Sequence, residues 1–101
     1  MKKILIILFF LVLTISTVHA ETLGGGYTAC ITKGLFDEWV TALVKNDKRA
    51  MNYLLKNGCI ITKAGIPISV LDRKWSGKVK VRAYVKDQAI ILWTYQENIQ
   101  K

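Results

Sequence analysis

Apolar positions change their spacing three times along this chain. Ile4 to Leu13 is an unbroken apolar run directly behind Lys2 and Lys3. Over residues 33–45 the spacing is helical. Leu35, Phe36, Trp39, Val40, Leu43 and Val44 fall on one stripe, as an amphipathic helix requires. Thr32 is the expected N-cap. Asp37 and Glu38 stand in the early turns and Lys45 at the end, where the helix dipole favours those charges. A second short helix is expected over roughly 47–56, capped by Asn46 or Asp47 and burying Ala50, Met51, Leu54 and Leu55. Asn57-Gly58 stops it, because glycine adopts the left-handed C-terminal conformation at least cost.

After Gly58 the period shortens to two. Cys59-Ile60-Ile61-Thr62 reads as a short strand, Lys63-Ala64-Gly65 as a turn, and Ile66 to Leu71 as a second strand. Pro67 near its start lacks only an N–H that such a position tolerates. Asp72 to Gly77 is a polar connection containing Trp75. Lys78 to Val85 alternates cleanly, with Val79, Val81, Ala83 and Val85 on one face and Lys78, Lys80, Arg82 and Tyr84 on the other. Lys86-Asp87-Gln88 turns the chain into Ala89 to Thr94, an almost wholly apolar strand expected at the centre of a sheet. Tyr95 to Asn98 suggests one helical turn before Ile99.

The expected fold class is α+β. Two N-terminal helices (33–58) pack on a small antiparallel sheet of four to five strands (59–101), curled into a barrel or half-barrel. Together these make a single domain over residues 33–101, preceded by a flexible glycine-rich leader at 21–32. That leader carries no Lys-Ser/Thr at the spacing of a phosphate loop.

Residues 59–99 also resemble a bacterial SH3-like domain of exported proteins. The likeness is carried by Ile68-Ser69-Val70-Leu71, Gly77-Lys78-Val79-Lys80-Val81-Arg82, Ile91-Leu92-Trp93-Thr94 and Glu97-Asn98-Ile99. The Asn-Val-Arg-Ser-Gly-Pro opening of that family is absent, and the helical half has no counterpart in it. The resemblance implies an SH3-like β part that binds cell-wall peptide or protein, and implies no catalysis by itself.

Charge and targeting sharpen this picture. Lys2 and Lys3, the apolar run and Val18-His19-Ala20 form the three parts of a cleavable signal peptide over residues 1–20, with the cut after Ala20. Its hydrophobic stretch of about 15 residues is short for a bilayer span of about 20. The expected location is periplasmic or secreted, without stable membrane insertion after cleavage. Loss of Lys2 and Lys3 lowers the net charge from +8 to +6, and His19, the only histidine, goes with them. Two cysteines remain, Cys30 and Cys59. In an oxidising compartment they pair as one disulfide. Closing that loop contributes about 3.6 kcal/mol in the chain-entropy account. Two cysteines without histidine do not make a zinc site, so no metal and no cofactor is expected.

Catalysis has little to build on. Without histidine there is no Ser-His-Asp or Cys-His arrangement. The seven carboxylates are scattered at caps, turns and loops, so an enzyme would need two of them to converge only in three dimensions. The polar feature that stands out is the row Lys78, Lys80, Arg82, with Tyr84 in line and Arg73 and Lys74 close in sequence. It reads either as an attractor of anionic partners or as the solvated face of a half-buried sheet. Trp39 and Trp93 belong to the core. Trp75 reads either as a recognition anchor in a basic loop or as a plug for the barrel end.

The functional expectation is therefore an exported, non-catalytic binding module. Its candidate ligand-binding residues are Arg73, Lys74, Trp75, Lys78, Lys80, Arg82 and Tyr84. The partner is a protein or an anionic cell-envelope component such as peptidoglycan or lipopolysaccharide, and no nucleic acid is expected. The alternative is a secreted inhibitor or immunity-type protein that blocks an acidic enzyme site.

Overall fold

The computed structural model describes residues 21–101; the expected signal peptide, 1–20, lies outside the described residues. The chain runs β1 (Glu21–Leu23), β2 (Thr28–Cys30), α1 (Lys33–Val44), α2 (Lys48–Lys56), β3 (Cys59–Ile61), β4 (Pro67–Arg73), β5 (Lys78–Val85), β6 (Gln88–Tyr95), a 3-10 turn (Gln96–Asn98) and β7 (Ile99–Gln100). The strands form one antiparallel half-barrel sheet in the order β3-β2-β6-β5-β4-β1-β7.

This corrects the expected architecture in two respects. The helices lie mid-chain rather than at the N-terminus of the domain, and the strands number seven rather than four to five. The reason is local. Residues 21–30, expected as a flexible leader, supply β1 and β2, and the glycines between them make the turn. Gly26 has φ +86, and a Cβ on Gly24 would stand 3.0 Å from the Gln100 side chain. Strands of three residues are too short to show an alternating pattern, so the glycine run dominates the sequence signal there. In the structure Thr28, Ala29 and Cys30 are all buried, because β2 sits between β3 and β6.

The helices follow their sequence signals closely. The Thr32 hydroxyl accepts from the Leu35 N–H at 3.1 Å, and the Asp47 carboxylate accepts from the Ala50 N–H at 3.1 Å. These caps satisfy donors that the first turns leave free. Gly58 has φ +118, and a Cβ there would come within 2.6 Å of the Leu35 side chain. The stripe of α1 fails only in its last turn. Ala42 is buried, while Leu43 and Val44 point to solvent, because Asp47 N–H bonds back to Ala42 C=O at 2.8 Å and turns the chain away.

Two small cores lie on opposite faces of the sheet. One packs Leu23, Ala29, Ile68, Val79, Val81 and Leu92, with Ala83, inside the curl. The other joins the helices to the sheet through Phe36, Trp39, Leu54 and Trp93, with the disulfide Cys30–Cys59 among them. Trp39 and Trp93 are thus core residues, as their patterns suggested. The two cysteines are direct register partners on β2 and β3, so the bond closes the neck through which the helical pair leaves and rejoins the sheet.

Asn98 ties the remaining pieces together and is fully buried. Its Oδ1 accepts from Gly24 N–H at 2.8 Å, and its Nδ2 donates to Thr94 Oγ1 at 3.0 Å and Thr62 Oγ1 at 3.2 Å. Thr94 then donates to Thr28 C=O, and Thr62 to Gly24 C=O. A buried polar group without such partners would be costly.

Two predictions follow from this framework. Each buried hydrogen bond contributes about 1 kcal/mol net, so Asn98→Ala lowers unfolding stability by about 3 kcal/mol. Urea denaturation measures it, and a loss below about 1 kcal/mol would show that the network holds nothing. Replacing both cysteines with alanine costs about 3.6 kcal/mol in the same experiment, from the closed loop alone.

Candidate functional site

The basic row lies on β5, and the register places it on the helix-bearing face of the sheet. Lys78 stands opposite Tyr95, Lys80 opposite Trp93, Arg82 opposite Ile91 and Tyr84 opposite Ala89. Trp93 and Tyr95 pack against the helices. Tyr95 also meets Phe36 edge-to-face, with ring centroids 4.7 Å apart. The Lys78 end of the row therefore adjoins α1; Lys78 and Lys80 are half-buried, whereas Arg82 and Tyr84 are exposed.

This neighbourhood neutralises one end of the row. Lys78 donates to the Asp37 carboxylate of α1, and Lys33 reaches the other oxygen of the same group at 3.1 Å. Asp37 titrates below its ordinary value, first because of the Lys78 hydrogen bond and then because of Lys33.

A β-bulge changes the next position. Val70 pairs with Val81 and Asp72 with Lys80, so Leu71 is an extra residue in β4. The bulge shifts the parity of β4. It brings Asp72 onto the face of the row and sends Arg73 to the Val79 side. Arg73 bonds Gln96 and makes a 3.4 Å ion pair with Glu21. Lys74 pairs with Asp72 at 3.0 Å, and this bond is the first cause of the lowered Asp72 titration.

Of the seven candidate residues, then, Arg73, Lys74 and Lys78 are held in contacts within the protein. Lys80 and Arg82 take part in no ion pair among the described residues. Tyr84 shares a 2.9 Å hydrogen bond with Ser69 across to β4. That bond is the main reason its phenol titrates below its ordinary value, with Arg82 acting in the same direction. Trp75 projects from the β4–β5 hairpin tip, next to Lys74 in the chain. The tip is closed by Lys74 N–H to Lys78 C=O at 2.8 Å and Gly77 N–H to Lys74 C=O at 3.0 Å. Trp75 is 101% exposed, so it plugs no barrel end.

Sequence reasoning did not find a groove beside α1. It has a volume of ≈ 450 Å³ and is lined by Tyr27, Trp39, Leu43, Ile61, Tyr95 and Glu97 among others. The Tyr95 hydroxyl is buried without a hydrogen-bond partner, and burial pushes its phenol above the ordinary range. These residues come from four separate stretches of chain, and no spacing in the sequence links those stretches.

No group of three or more His, Cys, Asp or Glu side chains capable of holding a metal ion occurs among the described residues. No helix among them is long and apolar enough to cross a membrane. Comparison of the chain with family models, with curated proteins and with solved structures gives no match.

The Asp37 cluster generates a pH prediction. A carboxyl that titrates lower in the folded state than in the unfolded one stabilises the fold above its ordinary value of 3.8, and the contribution disappears as pH falls through the folded value. Urea midpoints measured between about pH 2 and pH 5 should fall less steeply with acid for Asp37→Asn than for the parent. Identical slopes would show that the contact does not couple α1 to β5.

Proposed function

We propose that this protein is an exported, non-catalytic binding module that recognises an extended anionic partner in the cell envelope, protein or polymer. The single observation that supports this most directly is Trp75. A tryptophan with its whole side chain in water, on a hairpin closed by its own backbone bonds, gains nothing for the fold. Aromatic side chains of this kind concentrate binding energy once a partner covers them. Lys80 and Arg82 supply cations on the strand that leaves the same hairpin. At about 3.3 Å per residue, Trp75 and Arg82 stand on the order of 20 Å apart, a span that suits an elongated partner better than a small molecule.

Export is part of the proposal and rests on the signal-like pattern of residues 1–20. The disulfide is compatible with it, because such bonds persist in oxidising compartments. The resemblance of residues 59–99 to exported SH3-like domains also belongs to this reading and rests on sequence alone. A second reading, an inhibitor of an acidic enzyme site, draws on the same tip, since a projecting tryptophan suits insertion into a cleft.

Co-sedimentation of the oxidised protein with isolated cell-wall sacculi, at low and high salt, is the test. Trp75→Ala and the charge reversal K80E/R82E should each weaken binding at least ten-fold. The charge reversal should also flatten the salt dependence. Trp75→Ala should leave the melting temperature unchanged, because the side chain touches nothing that it stabilises. If neither sacculi nor any envelope fraction binds, but one protein is captured in a 1:1 complex through Trp75, the inhibitor reading replaces this one.

A further inference from the structure

The opposite end of β5 carries a second surface. Beyond Ala83 the β5–β6 hairpin leaves both cores, and its apolar side chains meet solvent on both faces. Tyr84, Ala89 and Ile91 share the face of the basic row, while Val85 and Ile90 share the inner face. Tyr84, Val85, Ile90 and Ile91 are each 37–42% exposed. Strand alternation normally gives such a hairpin one polar face, and here each face exposes large apolar side chains beside a single polar one, Arg82 on the outer face and Gln88 on the inner.

The turn adds charge to this finger. Lys86 occupies φ +55, a left-handed conformation that Gly or Asn adopts with less strain. The chain nevertheless places a cation at this position. Arg82 stands two positions below the apolar tip on the same face. Asp87 is the one acidic residue of the turn. A hollow of ≈ 480 Å³ lies against the tip, lined by Val85, Lys86, Asp87, Gln88 and Ile90.

From these features we infer that the β5–β6 hairpin docks on an anionic lipid surface. Apolar side chains on both faces call for surroundings that enclose the finger, and the head-group boundary of a bilayer does so. A flat protein surface would cover one face only. Arg82 and Lys86 would meet lipid phosphates, as cations beside an apolar insertion do at charged membranes. A second copy of the chain would bring the same cations against themselves, which disfavours it as occupant. The contact is peripheral and reaches head-group depth; it is not a span. It uses the end of β5 remote from Trp75 and shares only Arg82 with the function proposed above.

The test is flotation of the oxidised full-length mature protein with vesicles of phosphatidylcholine containing phosphatidylglycerol, against phosphatidylcholine alone. The parent should float with the anionic vesicles, be released by high salt, and ignore the neutral ones. The variant V85T/I90T/I91T keeps β-branched side chains and so preserves the strands. It should lose at least ten-fold in partitioning while its melting temperature and its binding to sacculi stay as in the parent. The emission that I91W adds to that of the three native tryptophans, read as the difference from the parent, should shift to the blue only with anionic vesicles. Absence of flotation, or equal flotation of parent and triple variant, overturns the proposal. So does a dimer in sedimentation equilibrium that the triple variant abolishes, because the occupant is then a second copy.

Discussion

One buried side-chain amide sets the closure of this sheet. Asn98 presents an acceptor to Gly24 and donors to Thr62 and Thr94. Through those two hydroxyls it reaches the carbonyls of Gly24 and Thr28. Three stretches of chain, residues 24–28, 62 and 94–98, therefore meet at one residue. Apart from β6, which carries Thr94, the strands beside these groups are too short to bury much apolar surface alone: β1, β2 and β3 have three residues each and β7 has two. Directional bonds in a dry environment do there what hydrophobic area does in the longer strands.

The longer strands β4, β5 and β6 serve two cores at once. Their inner face closes over Leu23, Val79, Val81 and Leu92. Toward its C-terminal end, the outer face of β6 receives the helices on Trp93 and Tyr95. A small chain buries limited area per residue, and using both sides of one sheet increases the yield. The arrangement also determines what the basic row can do. Since α1 meets its first member, Lys78 becomes part of the helix–sheet seam through Asp37. Only the farther members of the row, Lys80 and Arg82, stand outside ion pairs among the described residues.

Much of this was legible in the sequence, and the failures have physical causes. Both helices, their caps, β5 with its alternation, and the single turn at Gln96–Asn98 follow from patterns several residues long. The disulfide follows from counting two cysteines in a chain with a signal-like start. The three-residue strands at Glu21–Leu23 and Thr28–Cys30 could not be read. Their partners are supplied by distant segments, and three residues carry no period. The site was legible as a list of side chains but not as a charge distribution. Alternation placed Lys78, Lys80 and Arg82 together, yet nothing local reveals that Asp37 of a helix would meet Lys78. Nor does it reveal that an extra residue at Leu71 would turn Asp72 toward Lys80.

The position of Cys30 and Cys59 has a modular consequence. They face each other across β2 and β3, and just beyond them Ile31 N–H bonds Gly58 C=O at 2.9 Å. The whole helical excursion therefore begins and ends at one covalently fixed point. The register of β2 against β3 is set at that point, not by anything within the excursion. Residues 31–58 thus behave as a cassette. A segment of different length that returns to the same two cysteines and still covers Trp93 and Tyr95 would leave the hydrogen-bond pattern of the sheet unaltered. Variation among related chains, or a designed graft, can enter there with the least disturbance to the rest.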